Sequence, residues 1–359
     1  MSNSTPPPTP DAACNEIIVA GIGRDASAIV HGLTGLPDGA RKLFVTGSPM
    51  RAFAGSAELL GVHRDGSWRR EFKARVKGAQ MLVLVAAFAG REEMLAPEAL
   101  AIAREQGALA VAVLAEPILA GAPHKTGAGM RLAKEATKAA DSTMLFLADR
   151  QYSGALSVRE AFHSWNQRLS TSLGGLVAAA TAEDAMNMDF TDLVAVLSRH
   201  CRATVGVGEA KTVEDALHAA AKNTLASPAE LQTARSVLAH IVGSGDMPLD
   251  EARRPGPVLE RLFDKAEIVS GISVLEGPGD IRATIIAGTL DAAADEQRER
   301  ERTLHVESPF FKVGDPTVYD GENLDIPAFI RKDVALPGGA PRPVPAQKTL
   351  FDGASAARA

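Results

Sequence analysis

Cysteine is almost missing from this chain. Among 359 residues only Cys14 and Cys201 occur, far apart. That pattern excludes a disulfide framework and a cysteine metal site, and it predicts reduced thiols. An excess of basic charge is also lacking, since 38 Lys and Arg stand against 44 Asp and Glu for a formal charge of -6. Nucleic-acid binding needs a basic face that releases counterions, so a neutral or basic partner is the better expectation. Long apolar runs are absent too. The longest, around 81–90 and 108–114, fall far short of the roughly 20 residues that cross a bilayer. The first residues, MSNSTPPP, lack both the basic start and the apolar centre of a secretion signal. These absences predict a cytoplasmic protein that meets a membrane only through another protein. The 8 His show no close ligand pairing, so no metal is expected, and Trp68 and Trp165 read as packing residues.

What remains is an ordinary globular composition, 46% hydrophobic and 23% charged, long enough for two cores. Residues 1–15 are rich in Pro, Ser and Thr and read as a tail. From Glu16, short apolar runs alternate with helical patterns. Ile17–Ala20, Leu43–Thr46, Met81–Ala87, Ala108–Leu114 and Thr143–Leu147 read as buried strands, with helices over Glu93–Gln106 and Met130–Ala140. Such alternation predicts an α/β domain with a Rossmann-type parallel sheet over 16–153. A long helix over 154–182 then joins it to a smaller mixed α/β domain over 183–290. In that second part, Phe190–Arg202 and Val213–Lys222 read as helices, Ser236–Val242 as a strand, and Leu249–Ala266 as a helix broken at Pro255 and Pro257. Ile268–Leu275 and Ile281–Thr289 read as a strand pair turned by Glu276-Gly277-Pro278-Gly279. A charged linker follows over 291–323, then an apolar and basic peptide over 324–333, then an extension over 334–359.

The peptide, Leu324-Asp325-Ile326-Pro327-Ala328-Phe329-Ile330-Arg331-Lys332, resembles the LDIPAFLRK tail by which members of the bacterial tubulin homologue family FtsZ reach their membrane tethers. Asn187-Met188-Asp189-Phe190-Thr191-Asp192 resembles that family's NxDFAD synergy loop. Ala234 to Val242 is similar to its ARGVLVNIT strand, with Pro248-Leu249-Asp250-Glu251 after it where the family has RLDE, and Ile281 to Thr289 is similar to LRVTVVATG. The resemblance implies a tubulin/FtsZ-like fold and a cell-division protein that acts at midcell. It also implies GTP and Mg as the family's cofactors, and partners among FtsZ subunits and division-ring tethers. The tether contacts would be Leu324, Asp325, Ile326, Pro327, Phe329, Ile330, Arg331 and Lys332, and Asn187, Asp189 and Asp192 would act in trans on a neighbouring subunit's GTP.

The other face departs from the family. Where the family opens with GVGGGGGNAV, this chain has Gly21-Ile22-Gly23-Arg24-Asp25-Ala26. Where the family has GGGTGTG, it has Phe88-Ala89-Gly90-Arg91-Glu92-Glu93-Met94. The family's Lys-Pro after the next strand is Glu116-Pro117. The resemblance implies that Gly21, Gly23 and Gly90 are what remains of a nucleotide site, with Phe162 and Asn166 matching the family's base-contacting positions, and the family's Asp just after is Gln167. Asp25, Glu92, Glu93 and Glu116 bring negative charge to the phosphate end. A carboxylate about 5 Å from a phosphate charge costs roughly 3 kcal/mol at an effective dielectric near 20. Two or three such groups offset a micromolar affinity of about 8 kcal/mol.

Other readings of the same residues stay open at this point. Asp189 fits an ordinary helix N-cap, and the tail peptide fits one that folds on its own domain. GIGRDA fits a loose dinucleotide pattern, although Val45-Thr46-Gly47 lacks the acid that would hold a ribose. The leading expectation is an accessory paralogue with weak or absent GTP binding. Its rivals are an active GTPase that uses Arg24, Arg91 and Gly90 as a phosphate site, and an adaptor that only competes for tethers.

Overall fold

A computed structural model of the chain describes residues 16–33, 36–37, 40–47, 59–63, 65–88, 90–116, 127–147, 157–182, 185–199, 202–275, 279–289, 318–319 and 322–323. The apolar runs become strands β1 (Ile17–Ile22), β2 (Ala40–Thr46), β3 (Leu59–Gly61), β4 (Met81–Ala87), β5 (Leu109–Ala115) and β6 (Ser142–Phe146). All six are parallel, in the order β3-β2-β1-β4-β5-β6. Every residue of β1, β4 and β5 is buried, as a sheet covered on both faces requires. Helix α1 (Arg24–Gly32) covers one face together with the later α5 (Val158–Ala180) and α6 (Phe190–Arg199). Helices α2 (Trp68–Val76), α3 (Ala96–Glu105) and α4 (Gly127–Ala139) cover the other.

The long helix predicted over 154–182 is α5, of 23 residues. It starts where it does because Ser157 and Glu160 form a capping box, the Ser157 N–H donating to Glu160 Oε2 at 2.8 Å. Trp165, Leu169, Leu173, Leu176 and Val177 bury one stripe of it. Phe146 stacks on Trp165 with ring centroids 5.1 Å apart.

The sheet then continues through β7 (Arg202–Ala210), β10 (Ile281–Thr289), β8 (Ala234–Ser244) and β9 (Glu267–Leu275), in that spatial order. Thr143 pairs with Arg202 where β6 meets β7. Helices α7 (Val213–Lys222), α8 (Pro228–Leu231), α9 (Leu249–Ala252) and α10 (Pro255–Leu262) complete this half. Its core is built by α7 and α10 against β8 and β10. As the sequence predicts, the stretch from Leu249 breaks, with Pro255 opening its second helix. Beyond residue 300 the described residues are β11 (Val318–Tyr319) and β12 (Glu322–Asn323), an antiparallel pair.

Two expectations are corrected. Helix α6 stops at Arg199, and Arg202 already begins β7. Strands β9 and β10, read from the sequence as a pair, do not pair with each other: β10 pairs with β7 and β8, while β9 pairs in parallel with β8 at the sheet edge. Burial explains the exchange. Ala283, Ile285, Ile286 and Ala287 of β10 are all buried and belong in the middle, whereas Val274 and Leu275 of β9 are exposed.

His240 of β8 is buried, with Nε2 2.9 Å from Ser273 Oγ on β9. Burial pushes its pKa down to about 4. The unfolded chain takes up this proton near pH 6.5 and the folded chain near 4, so stability present above pH 6.5 is lost as pH falls toward 4. The loss is on the order of 3 kcal/mol. Thermal unfolding across this window checks it: His240→Gln is expected to gain steadily on wild type as the solution is acidified.

Candidate functional site

Strand order reverses between β1 and β4, and in open α/β sheets ligands bind at the carboxyl ends of the strands beside such a switch point. Here those ends are Ile22-Gly23, leading directly into α1, and Ala87-Phe88, leading to Gly90. Gly21 packs the helix against its strand. A β-carbon there would lie 2.6 Å from the Ala26 carbonyl oxygen, and the Ser27 hydroxyl donates to Gly21 O at 3.0 Å. Its lack of a side chain therefore serves the packing of α1 on β1. Gly23 has φ +85°, a conformation that favours glycine, and its N–H donates to Val45 O at 2.8 Å.

After Gly90 the chain makes a 3₁₀ turn, Glu92–Leu95. The Glu92 carboxylate accepts from Thr46 Oγ1 at 2.7 Å and from the Gly47 N–H at 3.1 Å, so an acid does reach the end of β2 and is used there to anchor the turn. Glu93 points inward and is 2% exposed. A β-carbon added to Gly23 would overlap its Oε1, and one on Gly90 would overlap its Oε2. Desolvation, then the negative charges of Asp25 and Glu92, push the Glu93 carboxyl up to about 7. Three of the four acids read from the sequence thus converge. Glu116 is also buried, one strand further on, with its N–H donating to Phe146 O. Arg24 and Arg91 are exposed. As placed, the Glu93 carboxyl takes up the space over Gly23 and Gly90, and a phosphate there would have to displace it.

The α5 side is open. A cavity of about 1000 Å³ lies between α1 and α5 and reaches β7 and β10; Asp25, Ile29, Phe162, Asn166 and Gln167 are among its lining residues. Phe162 is 41% exposed. The sequence reading missed Ser170, Gly174, Glu209 and Arg282, which also line this cavity. The first two follow from the i, i+4 spacing after Phe162 and Asn166. The last two form an ion pair of 2.6 Å on β7 and β10, and nothing local announces it.

At a separate place, the segment 186–192 is held from both sides. Met186 and Ile272 of β9 exchange backbone hydrogen bonds of 2.8 and 3.1 Å, and Met188 is buried beside Gly271. Asn187 takes φ +64°. Asp189 Oδ1 accepts from the Thr191 N–H at 2.7 Å, the Thr191 hydroxyl at 2.6 Å and the Asp192 N–H at 3.1 Å. In return, the Asp189 N–H donates to Asp192 Oδ2 at 2.9 Å. This is a reciprocal cap on α6, so the N-cap role weighed from the sequence is present. Asn187 and Asp189 remain exposed. The Thr191 hydroxyl, then the backbone N–H groups, hold the Asp189 carboxyl below its usual range. The peptide 324–332 lies outside the described residues. No helix among the described residues is long and apolar enough to cross a membrane.

The family model described as "FtsZ family, C-terminal domain" matches residues 201–291. The cell division protein FtsZ of Haloferax mediterranei is 30% identical over 238 residues, 62% of this chain and 62% of that protein. FtsZ of Buchnera aphidicola is 28% identical over 295 residues, 72% of this chain and 76% of that protein. The match to the Haloferax protein therefore spans less than two thirds of its length. Among solved structures, an empty FtsZ dimer of M. jannaschii has a TM-score of 0.65 at 21% identity, covering 77% of this chain and 89% of that one. CetZ2 of Haloferax volcanii, a GTPgS-bound protofilament, has a TM-score of 0.63 at 18% identity, covering 82% and 100%. At these identities the structural likeness carries the fold, which is tubulin/FtsZ-like. The chain is thus similar in sequence to FtsZ proteins, with the family model matching residues 201–291, and its fold is tubulin/FtsZ-like.

Proposed function

We propose that this is an accessory cell-division protein with weak or no GTP binding of its own. It docks through Asn187, Asp189 and Asp192 on the GTP-bearing face of a genuine FtsZ subunit, and through 324–332 on the tethers of the division ring at midcell. The buried Glu93 carboxyl over Gly23 and Gly90 is the observation that carries this reading. The capped, exposed loop at Asp189 supports it, since phosphoryl transfer to water needs acids fixed beside the neighbour's terminal phosphate and its cation. A subunit that offers one face and closes the other caps or weakens a filament. Mixing the chain with a GTP-hydrolysing FtsZ tests this: filament length and GTP turnover are expected to change, and no change in either contradicts the docking.

A second reading draws on the open cavity beside Phe162 and Asn166 and on the exposed Arg24 and Arg91. In it, the chain binds GTP with Mg, hydrolyses it and forms filaments. A third, tether competition alone, predicts that the isolated 324–332 peptide reproduces the effect of the whole chain.

A further inference from the structure

The first strand-helix unit builds the ingredients of an anion seat from general principles. Helix α1, of 9 residues, begins at the carboxyl end of β1, beside the point where strand order reverses. Helix N-termini at such points attract phosphates, and glycines let the backbone approach them. In this chain a carboxyl already stands in the seat, and the fold holds it there. Glu92 ties the 3₁₀ turn to the end of β2 through Thr46 and Gly47, and Leu95 packs into the core on the other side. Between these anchors Glu93 is buried, with one oxygen against Gly23 and the other against Gly90. The large cavity along α5 includes Asp25 in its lining but neither of these glycines.

We propose that Glu93 is a built-in closure of the anion seat: its side chain occupies the space over Gly23 and Gly90, excludes di- and triphosphate, and on truncation opens that space to pyrophosphate. This rests on the reading that the chain does not bind GTP itself. The protonation of Glu93 agrees with it. With a pKa of about 7, set by burial and by Asp25 on α1 and Glu92 on its own turn, the carboxyl is largely neutral under mildly acidic conditions and fills the seat by volume.

Calorimetric titration of the full chain with sodium pyrophosphate at fixed ionic strength is the test. Wild type and Glu93→Gln, which keeps the volume, are expected to show no saturable binding, and Glu93→Ala is expected to show saturable binding at least about tenfold tighter than the weakest affinity the titration detects. Equal binding by wild type and Glu93→Ala, or a gain in Glu93→Gln, overturns the closure. In case truncation harms folding, milder changes read the contact without ligand. Gly90→Ala is expected to lower the thermal midpoint of wild type, and to lower that of Glu93→Asp by roughly half as much, because the shorter side chain withdraws the carboxyl. The same penalty in both backgrounds overturns the placement. A Glu93→Ala gain together with no effect of wild type on FtsZ filaments keeps the closure and removes the accessory reading. Altered filaments without that gain do the reverse.

Discussion

Asp189→Asn is expected to leave the thermal midpoint of this chain nearly unchanged and to lower GTP turnover at its junction with an FtsZ subunit by about 100-fold or more. The two effects separate because the proposed function gives the residue a second job beside its cap. As a cap, Asp189 Oδ1 accepts hydrogen bonds from Thr191 and Asp192, and Asn serves about as well there, whereas Asp189→Ala loses about 1 kcal/mol. In the proposed junction, only a carboxylate at this position would orient water and hold cations beside a neighbour's terminal phosphate. Its lowered pKa keeps it ionised throughout neutral pH. A junction-specific turnover assay, with a small share of variant chain mixed into FtsZ, checks the difference. If Asp189→Asn and Asp189→Ala both behave as wild type in filaments, the loop is a cap and nothing more.

The second large effect concerns the fold within the region that matches the family's C-terminal domain. Gly208→Ala is expected to destabilise by about 3 kcal/mol, while Gly32→Ala is expected to stabilise by about 0.5 kcal/mol. Both replace glycine with the same methyl. On Gly208 of β7 a β-carbon would overlap Ala220 N and Ala216 O, backbone atoms of α7 that cannot swing aside. On Gly32, in the last turn of α1, nothing lies within 4 Å. Denaturant unfolding of both variants checks the opposite signs.

Gly208, with Gly206 two residues before it, shows why β7 is hard to read. Val205-Gly206-Val207-Gly208 places glycine at alternate positions, and only the close approach of α7 gives the glycines a purpose. By contrast, β1, β4 and β5 were legible because every residue is apolar and buried, and α5 because its apolar stripe and capping box are local features. The order of β9 and β10 was not legible. Turn chemistry at Glu276–Gly279 is local, but the choice of neighbours depends on burial across the whole sheet.

At the candidate site, the acids Asp25, Glu92 and Glu93 were visible in the sequence as a departure from the family's glycines, and their sign was enough to suggest weakened phosphate binding. Their separate roles were not visible. Glu92 anchors a turn and Glu93 enters the space over Gly23 and Gly90, an arrangement set by the 3₁₀ geometry between two tertiary contacts.

In the proposed function the loop at Asp189 meets a neighbour while Glu93 fills this chain's own phosphate seat. Equilibrium dialysis of the full wild-type chain against labelled GTP with Mg tests this most directly. No saturable binding in the micromolar range is the expected result. A dissociation constant of about 1 μM, equivalent to about 8 kcal/mol, would contradict it and favour an active GTPase.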